Sequence, residues 1–341
     1  MITLSDYGYN ILQIETYGLC NMACGFCPYP LKEEKDKSSK LDDGIIKNII
    51  DQLNPKDRGF NYITFSQFNE PLLDSRIFDY VKYAKDKGFE VYFITNGLLL
   101  NKEKNIEKLI ELNPVVKISL QILDTSAHKL KRGINIEFER YSETILNFIQ
   151  KTAKTKLQVI IDVGSNFNDN KVKYFVKNLF GLSVGDPNLP NTYNDTLDIL
   201  KSFLVKNNIN LTEKHILNLI NSDYAKQSGI QVSDNVKIKI KNFHYGNRLK
   251  DFFPINDNFK CDTSILSVQS TGEVVPCCLT YDASLSLGQI KKSSLLEILN
   301  NNSFLKNLRT KGLKKNIVCK KCYGEPTKRG AFLRNIINLI K

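Results

Sequence analysis

The sequence predicts an α/β fold, a partial (β/α)6 TIM-like barrel followed by a small C-terminal hairpin-plus-helix domain. Three observations predict it. Between residues 10 and 163, short β-forming apolar runs alternate with longer stretches whose apolar residues recur at helical spacing, as parallel β/α units require. Four successive strands are each followed by polar or thiol-bearing residues, the pattern of loops that share one barrel mouth. From Cys261 the rhythm gives way to a hairpin and separate helices. The expected division is 1–255 for the barrel, with an insertion at about 181–230, and 256–341 for the smaller domain.

In chain order, the run over 10–17 (Asn-Ile-Leu-Gln-Ile-Glu-Thr-Tyr) alternates partly and is rich in β-formers, so it makes the first strand. A lysine-rich connection over 32–40 leads to a helix capped by Asp42 or Asp43. That helix carries Ile45, Ile46, Ile49, Ile50 and Leu53 on one face, and Asn54-Pro55 stops it. A strand over 62–66 and a helix over 75–87 follow, the helix ending at Gly88. Next come a strand over 90–95, a helix over 102–112, a strand over 115–120, an amphipathic helix over 136–152 and a strand over 157–163. Beyond Gly164 the pattern breaks into helices near 170–179, 196–205 and 212–220 around a turn-rich stretch, 181–194. These precede a sixth strand over 236–243. The C-terminal part reads as a hairpin, 264–269 and 273–275, turning at Ser270-Thr271-Gly272. A helix over 293–308, a Cys319-Lys320-Lys321-Cys322 turn and a helix over 327–340 complete it. The last helix gathers Phe332, Leu333, Ile336, Ile337 and Ile340 on one side, expected to pack on the body of the protein.

Composition narrows the function classes. With 341 residues, 42% hydrophobic and 25% charged, the chain can bury a sizeable core. Its opening has no basic segment leading into an apolar run, and no stretch reaches the length of a membrane span, so a cytoplasmic protein with no membrane partner is expected. The net charge of +12 comes from 40 Lys and only 8 Arg, scattered along the chain. Nucleic-acid surfaces favour clustered Arg with stacking aromatics, whereas the densest groups here, Lys314-Lys315 and Lys320-Lys321, are short, so no nucleic acid is expected. An anionic small molecule stays open. His128, His215 and His244 show no metal-like pairing. Arg248, in Tyr245-Gly246-Asn247-Arg248 after the sixth strand, is a candidate for holding a substrate carboxylate or phosphate.

Eight cysteines remain to be explained. Without a secretion signal, cluster ligation is a better reading than disulfides. Cys20, Cys24 and Cys27 are spaced Cys-x-x-x-Cys-x-x-Cys; three thiolates on a cubane leave one iron open to a small molecule, where a structural zinc takes four ligands. A zinc knuckle or a group of buried thiols is the alternative.

This spacing resembles the signature of the radical S-adenosylmethionine (radical SAM) enzymes. The resemblance implies a 4Fe-4S cluster on Cys20, Cys24 and Cys27 whose open iron chelates S-adenosylmethionine. An electron from a donor such as flavodoxin or ferredoxin then splits the sulfonium to a 5′-deoxyadenosyl radical. Phe26 matches the family's aromatic position near the adenine. Asn69-Glu70-Pro71 aligns with its Gly-Gly-Glu-Pro segment, with Phe68 and Asn69 in place of the glycines; Glu70 is implied to receive the SAM ammonium. Thr95 and Asn96, in Thr95-Asn96-Gly97, resemble a further SAM-contacting segment, and Ser119 and Gln121 fall where the family contacts the ribose or the methionine carboxylate.

The second cysteine set, Cys261-x10-Gly272-x4-Cys277 and Cys319-x-x-Cys322, resembles the family's C-terminal SPASM/twitch extensions. It implies an auxiliary 4Fe-4S cluster fully ligated by Cys261, Cys277, Cys319 and Cys322, with zinc on the same thiols as the alternative. Cys278 is left over, a buried filler or a hydrogen-atom donor. The expected activity is a net oxidation of a small polar metabolite such as a sugar or cyclitol intermediate. A peptide-modifying enzyme (epimerisation or cross-linking) is the alternative within the family, and a non-catalytic Fe-S or zinc module the alternative outside it.

Overall fold

The computed structural model describes residues 4–56, 62–121, 133, 137–165, 198–200, 202, 229–242, 252–255, 264–302, 305, 316–322, 324–325 and 327–340. Among these residues one ten-stranded sheet carries the fold. Strands β1 (Ile11–Ile14), β2 (Tyr62–Thr64), β3 (Val91–Thr95), β4 (Val115–Gln121) and β5 (Val159–Ser165) lie side by side in chain order, all parallel. Their connections hold α1 (Glu34–Lys37), α2 (Asp43–Asp51), α3 (Ile77–Asp86), α4 (Glu103–Leu112) and α5 (Phe138–Thr152). Gly88, at φ +89, ends the α3 connection as expected, while α4 stops on Asn113 at φ 47, a left-handed position that Asn tolerates.

Beyond β5, β6 (Ile230–Ser233) and β7 (Val236–Asn242) form an antiparallel pair, with β7 parallel to β5. The sixth expected strand is β7. The strand β6 is an addition to the expected pattern, and its basis is local: Ile230 and Val232 are buried in alternation, and the Asn235 amide in the turn donates to the carbonyls of Thr152 (2.8 Å) and Leu157 (2.7 Å). The helices expected near 170–179 and 212–220 lie outside the described residues, as do Arg248 and Cys261.

The C-terminal hairpin joins the same sheet. Strand β8 (Ile265–Val268) pairs parallel with β1 on the edge opposite β2, β9 (Glu273–Val275) returns antiparallel through Gly272 at φ +96, and β10 (Gly288–Gln289) pairs with β9. The expected helix over 293–308 is interrupted: α6 (Leu295–Asn300) gives way to a turn at Asn301, Leu305 is again helical, and the other residues of 303–308 lie outside the described ones. The start of α6 is a capping box between Ser294 and Glu297. The break falls at Asn302, whose side chain donates to the Leu287 carbonyl (2.8 Å) and accepts from the Leu305 N–H (2.9 Å), the bond of a helix N-cap. The expected Cys319–Cys322 turn is a helix, α7 (Ile317–Cys322), started by Asn316, whose side chain accepts from Val318 N (2.9 Å).

Of the side of the last helix, α8 (Lys328–Ile340), that was expected to pack, Leu333 is partly buried. The helix's buried contact is the small pair Gly330-Ala331, while Phe332 stays 65% exposed and Ile336 38%. An ion pair from Arg334 to Glu325 (2.7 Å) fixes the helix with the small residues inward. The side chains of Ile337 and Ile340 are outside the described residues. Among the described residues no helix is long and apolar enough to cross a membrane.

Strand register assigns the two faces of the sheet. Residues paired across parallel strands share a face. One face carries Leu12, Ile63, Phe93, Ile118, Ile161 and Ile238, all 3% exposed or less. Helix α5 covers it: a Cβ at Gly97 would lie 3.2 Å from Ile118 and 3.4 Å from Ile145. Burial of each such side chain stabilises by ~1.5–3 kcal/mol. The opposite face, concave in a partial barrel, carries Gln13, Thr64, Tyr92, Lys117, Asp162 and Lys239. The inside therefore mixes polar groups with Ile94 and Ile160, while the outside is apolar at these positions.

Candidate active site at the strand ends

The cysteine loop leaves β1 and is closed at its base. Tyr17 and Lys40 form an antiparallel bridge, flanked by hydrogen bonds from Gly18 N to Ser39 O (2.9 Å) and from Leu41 N to Thr16 O (3.0 Å). Gly18 permits this closure, since a Cβ there would stand 2.2 Å from the Asp36 carbonyl oxygen. Within the loop Cys27 N donates to Cys24 O (2.9 Å), and Tyr29 N donates to Cys27 Sγ at 3.4 Å. An N–H aimed at sulfur favours a thiolate, and hydrogen bonds of this kind tune cluster ligands. Burial raises the Tyr29 phenol above its ordinary value, with a hydrogen bond to the Cys20 backbone pulling the other way.

Three further loops converge on this one. After β2, Glu70 N donates to Leu19 O (2.9 Å), and the buried Glu70 carboxylate accepts from Thr95 Oγ1 (2.8 Å), Asn96 N (2.7 Å) and Leu72 N (3.1 Å). After β3, Asn96 Nδ2 donates to Asn21 Oδ1 (2.7 Å) and approaches Cys20 Sγ (3.9 Å), while Tyr141 Oη on α5 donates to the Asn96 carbonyl (2.5 Å). Glu70, Thr95, Asn96 and Cys20, read separately from the sequence, thus form one connected unit. Asn69 behaves differently. Its side chain accepts from Gln67 N (2.9 Å) and donates to Phe65 O (3.3 Å), bracing its own loop. Ser119 and Gln121 are joined at 2.8 Å across a bulge at the end of β4, with Gln121 at φ 64; bulges of this kind re-aim side chains at sheet ends. Phe26 is half-buried and packs against the core, as do Cys20 and Cys27.

Gly133 meets the cysteine loop directly. At φ +63, a Cβ there would stand 2.3 Å from the Ala23 carbonyl oxygen. Gly133→Ala is expected to displace the loop and lower the iron content after reconstitution, with far-UV circular dichroism unchanged; full iron loading of the variant would contradict this.

Glu15, which the sequence reading treated as strand, is the hub of the site. It is fully buried and paired with Lys32 Nζ at 2.8 Å, the two side chains being 0% and 2% exposed. It also accepts from Phe68 N (3.3 Å), Ser270 N (3.1 Å) and Ser270 Oγ (2.9 Å). One carboxylate therefore joins the end of β1, the return of the cysteine loop, the loop after β2 and the hairpin turn. The only sequence signal was an acidic residue in phase with Gln13 on an apolar strand.

Of the second cysteine set, Cys277 follows the hairpin, Cys319 and Cys322 lie on α7, and Cys261 is outside the described residues. Cys277 Sγ and Thr280 Oγ1 are 3.1 Å apart, and Gln269 Nε2 donates to the Thr280 carbonyl (2.7 Å), with Gln67 Nε2 at 3.5 Å. Cys319 and Cys322 stand three apart on α7, hence on one helical face. The segment 252–255, which leads toward residue 261, is bonded beside them: Phe253 bridges Glu325, and Ile255 N donates to Lys320 O (3.3 Å). Cys278 is half-buried.

All seven described cysteines are thiols. Among the described residues no group of three Cys, His, Asp or Glu closes on a point that would hold a single metal ion. A cubane takes each thiolate on a different iron, so its ligands stand farther apart than those of one zinc. Donor type and loop bracing fit a cluster.

The family model described as the radical SAM superfamily matches residues 14–179. The iron-sulfur cluster-binding domain SPASM matches residues 261–323, and the two together take in more than half of the chain. The chain belongs to the radical SAM superfamily. This radical SAM protein is 23% identical over 276 residues to the tungsten-containing aldehyde ferredoxin oxidoreductase cofactor-modifying protein of Pyrococcus furiosus, covering 78% of this chain and 70% of that one. An uncharacterized protein of Methanocaldococcus jannaschii is 28% identical over 211 residues, 61% of this chain. The match spans 63% of that relative, a little under two thirds of its length. Among solved structures, Streptococcus suis SuiB bound to precursor peptide SuiA gives a TM-score of 0.54 at 15% identity, covering 95% of this chain and 72% of SuiB. Native anSMEcpe with bound AdoMet gives 0.52 at 17% identity, covering 98% and 100%. These likenesses show the fold, a partial TIM-like barrel with an open mixed sheet.

Proposed function

We propose that this radical SAM enzyme carries out a net two-electron oxidation, a dehydrogenation at a C–H bond beside a hydroxyl or amine of a small polar metabolite such as a sugar or cyclitol intermediate. Cys20, Cys24 and Cys27 hold the first cluster, and Phe26, Asn69, Glu70, Thr95, Asn96, Ser119 and Gln121 surround S-adenosylmethionine. Cys261, Cys277, Cys319 and Cys322 hold the second cluster. When bound, the first cluster and S-adenosylmethionine supply a 5′-deoxyadenosyl radical, with an external donor such as flavodoxin or ferredoxin as the electron source.

The observation that supports the reading is the position of Cys277, one of the four. It hangs from a hairpin that extends the barrel sheet and is tied to the loop after β2 through Gln67, Gln269 and Thr280. After the substrate loses a hydrogen atom, a closed-shell product requires that one electron and one proton also leave. A cluster held by Cys261, Cys277, Cys319 and Cys322 would supply an electron acceptor. The protein's own task is to hold the target C–H near the radical carbon, and the Glu15 and Glu70 networks keep the loops that do so in fixed register.

A second reading, peptide modification, is favoured by one comparison: SuiB, of similar fold, is solved with a precursor peptide. The test is turnover in deuterated water of a metabolite extract and, separately, of candidate peptides encoded beside the gene, followed by mass spectrometry. Oxidation lowers the substrate mass by two hydrogens without solvent deuterium, and Cys278→Ala leaves it intact. One solvent deuterium at unchanged oxidation state, lost in Cys278→Ala, would establish epimerisation with Cys278 as donor instead. A mass change confined to peptides would overturn the metabolite reading.

A further inference from the structure

We propose that the exposed stripe of α8, beside α7, is the docking surface for a small acidic one-electron carrier protein of the flavodoxin or ferredoxin class, which takes up there the electron released by substrate oxidation; this rests on the oxidation reading and names the partner it needs. The sequence sets the charge. Residues 298–341 hold 11 Lys and Arg against one acid, Glu325, a net +10, whereas the 297 residues before them hold 37 against 35, a net +2. Cations are spread along the whole chain, but apart from Glu325 the acids stop at Glu297. Glu325 is buried and bonded to Arg334 at 2.7 Å, so it turns inward.

The structure gives this charge an apolar centre. Lys328, Arg329, Phe332 and Ile336 recur at three- and four-residue spacing on α8, hence on one stripe, and all four are exposed. Ile317, at the start of α7, is 56% exposed. An exposed aromatic and aliphatic pair flanked by cations has the anatomy of a protein interface, apolar at its centre and charged at its rim. A solvated basic helix is the rival explanation, and it gains nothing from a Phe and an Ile in its exposed stripe.

The position of the stripe chooses its occupant. Helix α7 carries Cys319 and Cys322, with Lys320 and Lys321 between them. The start of α8 is tied to it through the segment 252–255: Phe253 bridges Glu325, Ile255 N donates to Lys320 O, and Lys328 Nζ lies 5.8 Å from the centre of the Phe253 ring. Lys328 follows Cys322 by six residues, so even an extended chain would set them at most about 22 Å apart. Nucleic acid and anionic membranes would answer the same charge, but neither needs a seat beside cluster ligands. An electron carrier does, because electron transfer falls off steeply with distance.

In each turnover one electron enters to cleave S-adenosylmethionine, and the substrate radical gives up one electron and one proton. The proton goes to solvent and the electron to the set Cys261, Cys277, Cys319 and Cys322. A docked oxidised carrier removes that electron and is itself reduced by one. No electron is consumed overall, and the next turnover finds the acceptor empty.

The experiment is calorimetry of an oxidised flavodoxin and, in a second arm, an oxidised ferredoxin on the reconstituted holoenzyme. At least one is expected to bind, and at least about tenfold more weakly when the salt is raised from about 0.05 M to about 0.5 M. Arg329→Glu and Phe332→Ala are each expected to weaken binding at least about tenfold, while Lys104→Glu, an equal charge reversal at an exposed position of α4, leaves it unchanged. Electron exit is read separately in the variant carrying Cys20→Ala, Cys24→Ala and Cys27→Ala, reduced with dithionite and freed of it. That protein is expected to reduce the carrier that binds, and to do so at least about tenfold more slowly once Arg329→Glu is added, at carrier below saturation. Binding of neither carrier, unchanged affinity in both α8 variants, or an equal loss in Lys104→Glu would overturn the surface. Tighter binding of a single-stranded oligonucleotide or of phosphatidylglycerol vesicles would overturn it too, giving the stripe to nucleic acid or to a membrane. Normal binding without electron exit would overturn the carrier's role. Failure of the oxidation reading would show instead in the product mass, which neither measurement reads.

Discussion

Changing Cys20, Cys24 and Cys27 together to Ala is expected to abolish cleavage of S-adenosylmethionine to 5′-deoxyadenosine and to lower iron from about eight to about four atoms per chain. The arithmetic follows from two independent thiol sets. The first sits on a loop closed by the Tyr17–Lys40 bridge, and the second sits on the hairpin and α7. Removing one set leaves the bracing of the other untouched. Anaerobic reconstitution, iron analysis and product chromatography check both numbers. Persistent cleavage in the triple variant would contradict the ligand assignment, and loss of all iron would contradict the independence of the two sets.

Glu15→Ala should cost about 3–5 kcal/mol, because it strands the Lys32 ammonium in a buried site and leaves the donors Phe68 N, Ser270 N and Ser270 Oγ without their acceptor. Against a typical total of about 5–15 kcal/mol that is a large fraction, and a fall in Tm on the order of 10 °C is expected. The double change Glu15→Gln with Lys32→Met removes the orphaned charge and keeps a neutral acceptor, so it should recover much of the loss. Thermal unfolding of both variants decides the matter: equal Tm for Glu15→Ala and the parent would show that the buried pair contributes nothing net.

The barrel was legible in the sequence because its outer face is made of apolar, mostly β-branched and aromatic positions, with Gly88 and Asn54-Pro55 punctuating the helices. The cysteine spacings and the Glu70, Thr95, Asn96 and Gln121 positions were legible because each follows such a strand. Three features were not. Glu15 and Lys32 are 17 residues apart and meet only when the loop between them closes, which no periodicity encodes. Cys319 and Cys322 read as a turn because two lysines separate them, yet Asn316 caps a helix there. The exposure of Phe332 and Ile336 on α8 was missed because an ion pair and a Gly-Ala contact outweigh part of an apolar stripe that looked fit for burial.

The pairing of β8 with β1 also sets a timetable. Gln13 and Ser267, side by side in that pairing, are 254 residues apart in sequence. During synthesis the outer edge of β1 finds no partner until β8 has followed it, and closing so long a loop is entropically slow. Until then an apolar strand edge stands open to other chains. Glu15, at the end of that strand, meanwhile lacks its Ser270 donors. Full bracing of the cysteine loop therefore waits for β8 and Ser270, so iron is best delivered after they have emerged, and a nascent chain stalled before residue 265 is the species most prone to aggregate.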